Sequence, residues 1–169
     1  MENFYKELFL KLQKRLSEQV PEILFIDQNI GQYGFDEFRT RVMFPAVLVD
    51  FPSATYSALG GNIQLGQVII ELALFFDSYS QTYQMAPEEV KNLGLLYYEI
   101  EQKIFNALHG WDADGLCTPL TRTDIKSQNN NDIGMRIRVL NFSTSYEDYS
   151  LDNDVYKDVE FSFSGSIKN

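Results

Sequence analysis

His109 and Cys117 are the chain's single histidine and single cysteine, so nucleophilic chemistry is tested on them first. A Cys–His pair also needs an orienting third group and an oxyanion site, and nothing in the spacing supplies either. The competing reading is a histidine near the negative end of a helix dipole and a packed cysteine. One of each is too few for the usual closed zinc sites, and a lone cysteine forms no internal disulfide. Carboxylates remain. Asp112 and Asp114 precede Gly115, and Asp152, Asp154 and Asp158 form a second group. Counted as calcium loops from Asp112 and Asp152, the closing positions are Thr123 and Phe163, where a bidentate carboxylate is required. Both fail as EF-hands, leaving a looser cation site or solvated turn carboxylates. The chain holds no G-x-S-x-G, G-x-G-x-x-G or G-x-x-x-x-G-K-[ST], which weakens hydrolase, dinucleotide and NTPase readings. The single histidine and single cysteine remove most metal and redox chemistry.

Aromatic side chains are the other chemical resource, with 13 Phe and 10 Tyr. Most Phe fall at core phases of the expected elements. Tyr33, Tyr56, Tyr79, Tyr83, Tyr146 and Tyr149 fall in or near loops and strand ends, where an interface uses rings with one wet edge. Ordinary packing is the alternative for each.

The elements that must position these residues follow from periodicity. Phe4, Leu8, Leu12 and Leu16 recur every fourth residue, with Phe9 widening the stripe, which predicts an amphipathic helix ended by Pro21. Residues 23 to 26 read as a short strand, and residues 27 to 44 as an irregular or edge segment. Residues 45 to 51 predict a strand covered on both faces and closed by Pro52. Residues 53 to 62 read as a turn-rich connection, followed by a β-branched and aromatic strand over 67 to 77. Pro87, Glu88 and Glu89 signal a helix start. Leu93, Leu96, Tyr97, Ile100, Ile104 and Leu108 then define its apolar stripe, Gly94 marks a close approach to the sheet, and Gly110 is its stop. Residues 120 to 125 predict a strand and 127 to 134 a polar loop. Met135, Ile137 and Val139 alternate with arginines in a half-buried strand whose phase shifts near Leu140, the mark of a bulge. Val159, Phe161, Phe163, Gly165 and Ile167 alternate strictly with polar residues, predicting a closing strand. The order predicts a single α+β domain over residues 1–169: a mainly antiparallel, mixed sheet with the N-terminal helix and one long central helix on one face.

The chain has 169 residues and 44% hydrophobic positions, enough for a real core. No stretch approaches the ~20 apolar residues of a bilayer crossing, and residues 1 to 16 lack a signal-peptide core, so a cytosolic protein without membrane contact is expected. The 14 Lys plus Arg against 24 Asp plus Glu give a formal charge of −10. Such a surface repels phosphate backbones and forgoes counterion release, which argues against nucleic-acid binding. The basic residues are scattered and form no patch.

This order of features resembles the small phage tail terminator or tail completion proteins. The resemblance rests on the helix from Phe4 to Leu16 and on Phe44-Pro45-Ala46-Val47-Leu48-Val49-Asp50-Phe51. It continues through the strand ending at Asp77, the helix ending Ala107-Leu108-His109-Gly110-Trp111, Leu120-Thr121-Arg122 and the closing strands. It implies a virion structural protein without enzymatic activity or cofactor, made in the host cytoplasm, that caps the tail tube and joins it to the head connector. It also implies a homo-oligomeric ring, commonly a hexamer, contacting the tail tube protein and the neck, with DNA passing through unbound. The connections at 53 to 62 and 127 to 134 are the expected docking loops. The partner-interface candidates are thus Tyr56, Leu59, Gln128, Asn130 and Ile133, with Tyr146 and Tyr149 at a strand end. Two alternatives stand beside this reading: a neck or head-completion connector, and a small acidic enzyme or ligand-binding domain with His109, Asp112 and Asp114 in a cleft.

Overall fold

Leu8, Leu12 and Leu16 are fully buried on one face of the first helix, α1 (Phe4–Gln19), in a computed structural model that describes residues 3–35, 37–77, 81–129, 131 and 134–151. Asn3 caps this helix, its Oδ1 accepting from the backbone N–H of Tyr5 (3.0 Å) and Lys6 (3.2 Å). Each of the three leucines contributes about 1.5–3 kcal/mol on removal from water. That burial, more than propensity, holds a short helix in place.

Five strands form one sheet: β1 (Phe25–Gln28), β2 (Ala46–Gly60), β3 (Ile63–Phe76), β4 (Thr121–Ser127) and β5 (Arg136–Asp148), in the order β1-β2-β3-β5-β4. The β1/β2 pair is parallel and the rest antiparallel, so the fold is α+β with a mixed sheet. The long helix α3 (Glu88–Leu108) lies with α1 on one face, as expected. Arg15 ties the two helices, its Nε donating to the Ala107 carbonyl at 2.9 Å. Residues 27 to 44, expected to be irregular, contain a 3₁₀ turn (Gln32–Gly34) and a one-turn helix, α2 (Phe38–Arg41). Phe38, Tyr33, Val42 and Phe44 cover the other sheet face, packing with Phe75, Ile137 and Val139. Tyr33, open above to either an interface or ordinary packing, is half-buried with its ring 5.3 Å from that of Phe75.

Three expectations are corrected by this arrangement. Residues 53 to 62 are not a turn-rich connection: β2 runs on to Gly60, and only Gly61 and Asn62 lie between paired Gly60 and Ile63. Gly60 and Gly61 take positive φ, 127° and 57°, which lets the chain reverse so tightly. Pro52 does not close β2 either; it sits in a register shift between Asp50 and Ser53, where an absent N–H costs no ladder bond. Nor is there a bulge near Leu140. The β3/β5 pairing is unbroken from Phe76↔Arg136 to Gln64↔Asp148, and the irregularity lies in β4 between Arg122 and Asp124. Burial changes sides along β5 because different layers cover it: Ile137 and Val139 face the α2 side, whereas Leu140 and Phe142 face the long helices. The switch imitates a phase shift in sequence. The closing strand expected over 159 to 167, the group Asp152, Asp154 and Asp158, and Tyr79 lie outside the described residues.

The first turns of α3 depart from expectation too. Its buried positions begin at Tyr97 and continue through Ile100, Glu101, Ile104, Ala107 and Leu108. Leu93 is 63% exposed, and Leu95 and Leu96 are also exposed. Pro87 occupies the cap position just outside the helix, and its carbonyl accepts from the Lys91 N–H at 3.0 Å.

Candidate interaction surface

The sheet has two ends, and the candidate residues divide between them. At the hairpin end, Tyr56 on β2 and Tyr146 on β5 flank Gly66 of β3, and α1 lays Phe4 and Tyr5 over them. The Phe4 and Tyr146 rings are stacked, with centroids 3.5 Å apart and planes 5° apart. The Tyr5 and Tyr56 hydroxyls are 2.6 Å apart, and those of Tyr56 and Tyr146 are 3.4 Å apart. The three hydroxyls form a hydrogen-bonded chain at the rim of a groove of about 600 Å³, also lined by Asn3, Leu116 and Asp148. Burial, reinforced by the Tyr56 hydroxyl, pushes the Tyr5 phenol up to about 12 from 10.0. The same causes raise Tyr146 further. Phenol hydroxyls and rings so placed offer a partner hydrogen bonds and ring contact. Leu59 and Tyr149 are exposed at this end as well.

Gln128 lies at the opposite end, after β4, its N–H donating to the Ile137 carbonyl at 3.0 Å. Asn130 and Ile133 lie outside the described residues. The side chain of Asn131 organises this loop, donating to the carbonyls of Gln128 and Met135 (both 2.7 Å) and accepting from the Met135 N–H at 3.1 Å. Sequence reading passed over Asn131 because an asparagine run does not reveal which amide closes the loop.

A second groove at this end, of about 360 Å³, is formed by Phe44, Pro45, Phe76, Leu93, Leu96 and Arg136. The Arg136 guanidinium sits 4.3 Å over the Tyr97 ring centre. Sequence reading missed this surface because Leu93 and Leu96 are in phase with core positions, and periodicity does not show which turns of a helix are covered.

Charge also acquires a pattern. Asp50, Glu71, Asn141 and Asp124 pair successively across β2, β3, β5 and β4, forming one polar rung on the face away from the long helices. Asn141 Nδ2 donates to Asp124 at 2.9 Å and, with Lys126, holds that carboxyl below its usual range. Glu71 is pushed up, first by burial and then by Asp50. Among the described residues, no group of three or more His, Cys, Asp and Glu is placed to hold a metal ion.

His109 and Asp114, placed in a cleft by the enzyme alternative, are exposed side chains with partners of their own. The His109 ring lies 4.7 Å from that of Phe105, and its Nδ1 accepts from the Arg122 N–H at 3.3 Å. Asp114 accepts from Lys11 Nζ at 2.9 Å, and the Cys117 thiol, pushed up by burial, lies 3.6 Å from the Asp112 carbonyl. No helix of the described residues is long and apolar enough to cross a membrane.

Fold and surface together define an α+β unit with a long β2/β3 hairpin and aromatic or apolar grooves at both sheet ends. No family model matches the chain, and no curated protein matches it in sequence. Among solved structures, a chain from the virion of a native gene transfer agent particle shares the fold, with a TM-score of 0.53 at 13% identity. The match covers 88% of this chain and 100% of that one.

Proposed function

We propose that this protein is a structural subunit of a phage-like virion, and within that class a tail terminator that caps the tail tube and helps join it to the head connector. The observation that carries the reading is the fold shared with the gene transfer agent virion chain over that chain's full length. The surface supports it: grooves at both ends of the sheet suit a wall unit that meets different proteins above and below. A hexameric ring, docked to the tail tube protein on one side and the neck on the other, is the assembly proposed. The role is non-catalytic and uses no cofactor. A formal charge of −10 fits a channel that passes DNA without holding it.

Electron microscopy of particles assembled without this protein tests the proposal. Tails of uncontrolled length are expected for a terminator. Normal tails lacking heads would move the assignment to a neck connector, and intact, normally joined particles would overturn the virion role.

A further inference from the structure

Residues 51 to 70, spanning the outer part of the β2/β3 hairpin, contain no Asp, Glu, Lys or Arg in a chain that is 22% charged. The parallel strand β1 pairs only with Ala46 to Val49. Beyond the Pro52 shift, among the described residues, no strand pairs with the outer edge of β2 from Ser53 to Gly60. Every position there except Ala54 is exposed. The inner edge is laddered to β3 down to the tip, so the arm is a preformed extended template. About half of its backbone N–H and C=O groups point outward.

Exposed edges are ordinarily guarded by charges, by prolines and bulges, by shortness or by cover. The other edges of this sheet follow that rule: β4 carries Arg122, Asp124 and Lys126, and β1 is four residues long with Asp27. Apart from Pro52 and the register shifts beside it and at Ala58, the β2 arm from Ser53 to Gly60 carries no charge and, among the described residues, no covering strand. Two copies of a chain at −10 repel each other over most of their surface, and they approach at least cost where charge is absent. The arm also offers no cation to a nucleic acid and no carboxylate to a basic partner.

We infer that the outer edge of β2 from Ser53 to Gly60 is the surface by which one copy of this chain adds to a second copy, through strand pairing. The inference deepens the assembly reading above and rests on it. It supplies the subunit contact without which a ring does not close.

The test uses the full chain at high concentration, with mass measured by sedimentation and amide hydrogen exchange followed on the arm. Oligomers are expected, with protection of the outward arm amides that rises with concentration. Ser57→Lys combined with Leu59→Lys is expected to weaken association about tenfold or more, whereas Thr121→Lys on the guarded β4 edge leaves it unchanged. Unaltered oligomers in the double variant, or a monomer with unprotected arm amides, would overturn the inference. A monomer whose arm is protected at every concentration would assign the edge to the chain's own residues 152 to 169 and overturn it equally. None of these outcomes bears on tail length in particles, so failure of this contact and failure of the virion role are separable.

Discussion

Gly66 stands directly opposite Tyr146 in the β3/β5 ladder, and a β-carbon built on Gly66 would lie 2.6 Å from Cε1 of the Tyr146 ring. The missing side chain is what lets that ring lie flat and stack on Phe4. Gly66→Ala is therefore expected to destabilise the fold by about 1–3 kcal/mol, the range for overpacking, even though alanine suits a strand better than glycine. Urea denaturation checks this, and an unchanged midpoint would show that the ring moves aside freely.

The Tyr5 phenol has a definite alkaline signature. Its folded value, about 12, lies above the ordinary 10.0, so the fold favours the protonated form. Its contribution to stability is complete below pH 10.0 and is lost as pH rises through about 12. A tyrosinate absorbance titration of the native protein minus that of Tyr5→Phe is expected to show a midpoint near 12. A midpoint at the ordinary value would contradict the hydroxyl chain.

Glu71 has the opposite relation to neutral pH. Its carboxyl is raised from 4.5 by burial and by Asp50 and Asp124, with Lys126 opposing. The fold therefore favours the neutral acid, a benefit present below 4.5 and lost as pH rises through the raised value. Glu71→Gln is expected to raise Tm at neutral pH, with the gain vanishing in acid. Thermal melts across that range decide it, and a gain constant with pH would place its cause elsewhere.

Glu101 is 5% exposed on α3 and forms a two-pronged ion pair with Arg138 of β5, the Nη2 to Oε2 contact being 3.0 Å. Glu101→Ala leaves the guanidinium half-buried without its partner and is expected to cost about 3 kcal/mol. Glu101→Leu combined with Arg138→Met is expected to cost less than either single loss. A double-mutant cycle by denaturant unfolding measures this, and strictly additive effects would mean that the pair is not coupled.

Much of the architecture was legible from local pattern. The four-residue spacing of Leu8, Leu12 and Leu16, the proline and glutamates before α3, and the arginine alternation in β5 each follow from one side of one element facing the core. The interaction surface was only half legible. Tyr56 and Tyr146 were found through residue type, but their approach depends on β3 lying between their strands and on Gly66 having no side chain.

By itself, then, the sequence determined the α+β class, the phases of the long helices and the absence of local catalytic motifs, because these depend on periodicity and composition within one segment. Tertiary structure alone decided that residues 53 to 60 are an uncharged arm and not a loop, and that Leu93 and Leu96 are uncovered. It also aligned Asp50, Glu71, Asn141 and Asp124 in one rung. The physical reason is that a strand's end, the cover over a helix turn and a cross-strand neighbour are set by which other segment packs there, and distant segments leave no mark on local spacing.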